Sequence, residues 1–273
     1  MHDLTLAILF VLAIWWLSTA LVLRMVWLAR STVPLSVAAF SVLALVGLYG
    51  LVWSSNVEST FAAYLAFSCA LAVWGWHELT FLLGIVTGPR KIACPPGAVG
   101  WARFRYATAA VIHHEVALAV TLAVMVALTW GRPNQVGTLT FMVLWIMRLS
   151  AKLNVFLGVR NLTEQFVPDH LRYMLSYFRK ARMNPLMPLS VVAASAVVIR
   201  LGTQSLSEQA TPFVLVGRTL VGTILALAVI EHVFLSLPLP DAMLWKWAIR
   251  NQSRAAARDT VATAVGNKRV EAQ

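Results

Sequence analysis

Apolar residues run along this chain in seven long blocks, roughly 4–28, 35–54, 60–86, 106–130, 136–158, 186–204 and 213–237, separated by shorter polar and basic stretches. A hydrocarbon core about 30 Å thick takes about 20 residues of helix, so every block is long enough to cross. Inside lipid each backbone N–H and C=O must be satisfied within the protein, and an open sheet leaves its edges unpaired. The predicted fold is therefore all-α: a polytopic integral membrane bundle of about seven transmembrane helices. The first block has no basic segment before it and is too long for a cleaved signal, so it is read as a retained span. Residues 1–249 form the expected membrane domain. Residues 250–273 are polar, charged and without periodicity, the pattern of a disordered tail.

Composition agrees with the pattern. Of 273 residues 59% are hydrophobic and only 12% charged, against about 25% charged in soluble domains, so no water-soluble surface can be built. Two cysteines, Cys69 and Cys94, exclude a disulfide framework and are read as reduced and structural. The net charge of +11 is spread over loops beside hydrophobic spans. Lipid headgroups are the expected partner of that charge, and nucleic acid is not, because no recognition motif accompanies it.

The distribution of Lys and Arg gives a direction. Alternate connections hold Arg24 and Arg30; Arg90, Lys91, Arg103 and Arg105; Arg160, Arg172, Arg179, Lys180 and Arg182; then Lys246, Arg250, Arg254, Arg258, Lys268 and Arg269. The other connections hold only Arg132, Arg200 and Arg218. Cytoplasmic loops are the basic ones, which predicts a multi-pass membrane protein with its N-terminus outside and its C-terminus in the cytoplasm. On the basic side a segment at about 162–181 is expected to form an interfacial helix. Pro168 suits its first turn, and Tyr173, Met174, Tyr177 and Phe178 make its apolar stripe. Such a segment lies flat at the headgroups or docks a protein. Glu164, Asp169 and His170 are read as solvated loop residues, with folding beneath the bundle as the alternative.

Ionisable groups inside a span are costly, so each needs a reason. Four spans carry them: His77 and Glu78; His113, His114 and Glu115; Arg148 and Lys152, with Asn154 nearby; and Glu231 with His232. His77, His113, Arg148, Lys152 and Glu231 stand six to ten residues from the basic end of their spans, roughly 9–15 Å deep at 1.5 Å per residue. Four helices thus bring polar groups to one layer. One reading is an ion-pair network in which Arg148 and Lys152, on one helix face, neutralise two of the three carboxylates, the third being protonated or hydrogen-bonded to a histidine. A second is a site for iron or another divalent metal, with His77, Glu78, His114, Glu115, Glu231 and His232 as ligands. A third is contact with a pigment or quinone, in which His77, His113, His114 or His232 ligates a porphyrin metal. Of His113 and His114, one is expected to face inward. Glu-x-x-His pairs, His boxes, a nucleotide loop and a serine triad are all absent.

Several motifs resemble one family. They are Trp74-Gly75-Trp76-His77-Glu78-Leu79-Thr80-Phe81-Leu82, Thr87-Gly88-Pro89-Arg90, Cys94-Pro95-Pro96-Gly97, Phe104-Arg105-Tyr106-Ala107, Met147 through Gly158, Met183-Asn184-Pro185-Leu186, and Glu231-His232 through Asp241. Together they resemble the PuhE family, photosynthetic complex assembly protein 2, of purple phototrophic bacteria, from the first span to about Ile249. The resemblance implies a place in the reaction-centre gene cluster and a role in assembling the reaction centre and antenna, with influence on bacteriochlorophyll supply. It implies reaction-centre and antenna proteins or pigment-synthesis enzymes as partners. It carries no molecular activity with it. The expected function is an assembly factor. The alternative is a membrane oxidoreductase with a His/Glu metal site acting on a pigment, carotenoid or quinone-like substrate.

Overall fold

A computed structural model describes residues 2–162, 167–207 and 210–237. Among the described residues there are seven long α-helices: α1 (His2–Val26), α2 (Val33–Ser54), α3 (Thr60–Leu82), α4 (Gly100–Thr129), α5 (Val136–Leu157), α6 (Leu186–Ser205) and α7 (Pro212–Ser236). All are long and apolar enough to span a membrane, and the protein is an all-α polytopic bundle. The expected tail at 250–273, the turn beyond Leu237 and Glu164 lie outside the described residues.

α3 is the central element, packed against α1, α2, α5 and α7. Its burial follows from small residues. Ala62, Ala63, Ala66 and Ala70 are buried along it, and Phe67 fills the core with Phe141 and Leu220. Lipid tails are as apolar as leucine, so helices associate through close backbone approach at small residues. A Cβ on Gly47 would lie 3.0 Å from the Cys69 carbonyl oxygen, and one on Gly50 would lie 2.7 Å from Cys69 Sγ. A Cβ on Gly137 would lie 2.8 Å from the Ala66 carbonyl oxygen, which brings α5 onto α3. Outward faces present bare apolar side chains, among them Leu9, Leu45, Tyr49, Val192 and Ile199.

Two boundaries differ from expectation. The third helix stops at Leu82 rather than 86 because Gly84, at φ +74°, turns the chain. The Ile85 N–H returns to the Thr80 carbonyl and the Gly84 N–H to Phe81, a Schellman closure that satisfies the last turn. The fourth helix begins at Gly100, six residues early, since helix formation continues past the apolar block through Arg103 and Arg105. Two starts are capped by side chains: Ser59 accepts from the Ala62 N–H and Thr211 from the Val214 N–H.

The expected interfacial α-helix is corrected. Asp169–Tyr177 is a 3₁₀ helix, and its buried residues Leu171, Met174 and Tyr177 recur every third position rather than at the α-helical spacing of Tyr173, Met174, Tyr177 and Phe178. The segment is tied beneath the bundle. His170 Nε2 lies 2.9 Å from the Leu82 carbonyl, Ser176 Oγ accepts from the Cys94 N–H, and Arg90 donates to the Tyr177 hydroxyl at 2.8 Å. Arg103 donates to the carbonyls of Phe156 and Tyr177. Leu171 and Met174 pack on Phe81. Asp169 is exposed and paired with Arg172, while His170, though exposed, is anchored to α3.

Candidate functional site: a charged layer around an intramembrane cavity

The polar residues do meet, in two separate groups. The first lines a cavity of about 700 Å³ enclosed by α1, α3, α4, α5, α7 and the 3₁₀ segment. Glu78, Glu115, Arg148, Lys152, Glu231 and His232 all face it, among mostly apolar walls. Arg148 Nη2 donates to Glu78 Oε2 at 3.2 Å. One turn on, Lys152 Nζ donates to Glu115 Oε1, and the Trp145 indole N–H donates to the other oxygen of the same carboxylate at 3.1 Å. Lys152 also stands 5.0 Å from the centre of the Phe81 ring. The 3.6-residue turn explains both contacts: i and i+4 share one face of α5, so one helix reaches α3 through Arg148 and α4 through Lys152.

The third carboxylate is Glu231. Among the described residues it has no ion-pair partner, and it is accessible from the cavity, beside Trp15 and within the field of Arg148. Among the described residues no histidine hydrogen-bonds this carboxylate, and the neighbouring His232 is turned to other partners. Its Nδ1 donates to the Ala228 carbonyl at 2.8 Å, and its Nε2 lies 3.0 Å from the Ser150 hydroxyl.

The second group is a buried imidazole pair behind the cavity wall. His77 and His114 have ring centres 6.4 Å apart, and neither lines the cavity. His77 Nε2 meets the Thr121 hydroxyl at 2.9 Å, whereas both His114 nitrogens are buried without a hydrogen-bond partner. The Phe81 ring lies 4.5 Å from the His114 ring. Thr87-Gly88-Pro89-Arg90 presses the chain onto α4 here: a Gly88 Cβ would stand 2.2 Å from the Ala109 carbonyl oxygen, and the His114 N–H reaches the Thr87 carbonyl at 2.9 Å.

Two expected members are elsewhere. His113 is exposed on the outer face of α4, a helical turn-fraction of about 100° from His114. Asn154 is fully buried and joins α5 to the segment before α6, donating to the Ser150 carbonyl and accepting from Asn184 at its own carbonyl; it partners neither Arg148 nor Lys152. The six residues expected as metal ligands are not gathered into one set, and among the described residues no three His, Cys, Asp or Glu side chains stand close enough to hold a metal ion. Trp15, Trp145, Ser150 and Thr121 are members that sequence reasoning missed. The one available signal was the place of Trp145 three residues before Arg148, on the same helix face.

With this geometry in hand, comparison with known proteins supplies a family. The described match covers residues 1–256 and carries the description "protein of unknown function (DUF3623)". The chain belongs to that family. It is also 37% identical over 244 residues to an "uncharacterized 30.4 kDa protein in puhA 5′ region" of Rhodobacter capsulatus, covering 86% of this chain and 87% of that protein. No solved structure matches. The family extends across every helix, so the layer and the cavity lie inside the matched region.

Proposed function

We propose that this protein is an assembly factor for the photosynthetic reaction centre and its light-harvesting antenna, acting in a bacterial inner (intracytoplasmic) membrane. The observation that carries the reading is the relative of Rhodobacter capsulatus, named by its position in the puhA 5′ region and alike over almost the whole chain. A gene beside puhA is in photosynthetic company, and the motifs resembling the PuhE family agree with it. The finer reading is that the protein couples bacteriochlorophyll supply to complex formation. Its partners are then reaction-centre and antenna proteins or pigment-synthesis enzymes, met through the basic loops and the lipid-facing helices.

The charged layer fits this non-catalytic role better than a metal-dependent oxidoreductase. Glu78 and Glu115 are held by Arg148 and Lys152, and His232 by Ala228 and Ser150, so these five polar groups serve helix registry. The test is a deletion strain grown under phototrophic conditions. Antenna and reaction-centre absorbance should fall and return when the gene is restored, while washed mature complexes should lack the protein. Unchanged complexes in the deletion strain, or the protein at stoichiometric level in mature complexes, would overturn the reading.

A further inference from the structure

The cavity has the make-up of a ligand site rather than of a packing defect. Binding pockets of about 300–1,000 Å³ are mostly apolar with a few placed polar groups, and this one is about 700 Å³ with Leu71, Trp74, Leu144 and Ile224 in its walls. Its polar groups are not all committed to one another. Arg148 gives a single nitrogen to Glu78, and 39% of its side-chain surface remains accessible against 14% for Glu78, so guanidinium N–H donors are open to the cavity. Glu231 offers an accessible carboxylate among the same walls. A guanidinium donor left without a partner among apolar walls is costly, and a bound oxygen that meets it removes that cost.

Charge narrows the class. Three carboxylates face two cations, so the walls carry one carboxylate in excess. A fatty acid or a phosphate would add a like charge in a medium where charges interact strongly. α1 and α4 both line the cavity yet barely touch each other, which leaves a gap between them. We propose that this cavity binds a neutral, lipid-soluble molecule with an apolar body and a head bearing carbonyl oxygens that accept from Arg148. An isoprenoid quinone or a tetrapyrrole pigment carries that chemistry, with its tail running out between α1 and α4. The proposal goes beyond the assembly role and does not depend on it: the assembly role is read from a deletion strain, this one from the purified chain.

The experiment titrates the full-length protein in detergent with a decyl-substituted benzoquinone and, separately, with bacteriochlorophyll a. Quenching of tryptophan emission is the readout, since Trp15 and Trp74 line the cavity. Saturable quenching by the quinone alone, the pigment alone or both supports the site and names its source. Ser18→Phe from α1 and Ala107→Phe from α4 each fill the cavity without touching an ion pair. Each should raise Kd at least tenfold, and either variant decides if the other fails to fold. Quenching by neither probe beyond the linear rise of micelle partitioning, or wild-type Kd in the folded variants, overturns the proposal.

Discussion

Two ion pairs bridge α5 to its neighbours, and their partners are not interchangeable. Glu115 belongs to Lys152 and Glu78 to Arg148. Glu115→Gln should leave Lys152 as a buried cation without its carboxylate, a loss of about 3–5 kcal/mol, and the protein should fall in membrane immunoblots. Glu115→Gln with Lys152→Met should restore abundance, whereas Glu115→Gln with Arg148→Met should not. Equal rescue by both double variants would contradict the pairing. The imidazoles behave differently. His114 has no partner for either ring nitrogen, so His114→Leu removes two unsatisfied atoms at little loss of volume. Its thermal midpoint in detergent should equal or exceed wild type; a drop of several degrees would show that the ring has a polar role. At this scale the sequence was informative about which residues matter and silent about pairing. Glu78, Glu115 and Glu231 are alike as letters, and their different fates follow from the rotation of three helices.

At the scale of elements, helix contacts are set by small residues rather than by charge. Gly137 sits where any Cβ meets the Ala66 carbonyl and Leu51 Cδ1, both at 2.8 Å. Gly137→Val should push α5 off α3 at about 1–3 kcal/mol, the usual cost of overpacking. Because α5 carries Arg148 and Lys152, the thermal midpoint should fall, and Gly137→Ala should fall less. No change in either variant would mean that α5 has room to shift. The 3₁₀ segment teaches a related lesson. Tyr173, Met174, Tyr177 and Phe178 satisfy an α-helical stripe in sequence, yet Leu171, Met174 and Tyr177 are the residues buried. Contacts with Arg90, Arg103 and Leu82 hold the tighter helix, and such partners, 70 to 90 positions away, leave no periodic trace.

For the whole molecule, the basic connections after α3 and α5 interlock, with Arg90, Arg103 and Tyr177 joined by hydrogen bonds. The opposite end is closed by Arg132 and Asn134, which donate to backbone carbonyls of α2 and its C-terminal turn. The positive-inside reading expects a reporter fused after Ile249 to be cytoplasmic and one inserted after Gly131 to be periplasmic. Gly131 suits the insertion because it is exposed with nothing near its Cβ position, whereas Asn134 is buried and holds the turn together. Both reporters on the same side would rule out an odd number of crossings between the N-terminal half and the tail as drawn. Length and hydropathy sufficed for span number and class, since crossing a bilayer is a local requirement met one helix at a time. The ends of α3 and α4, the 3₁₀ turn, the choice of ion-pair partners and the cavity were decided only in the tertiary structure. Each depends on how far helices rotate and how closely they approach, and those quantities are fixed by glycine and alanine contacts between residues far apart in the chain.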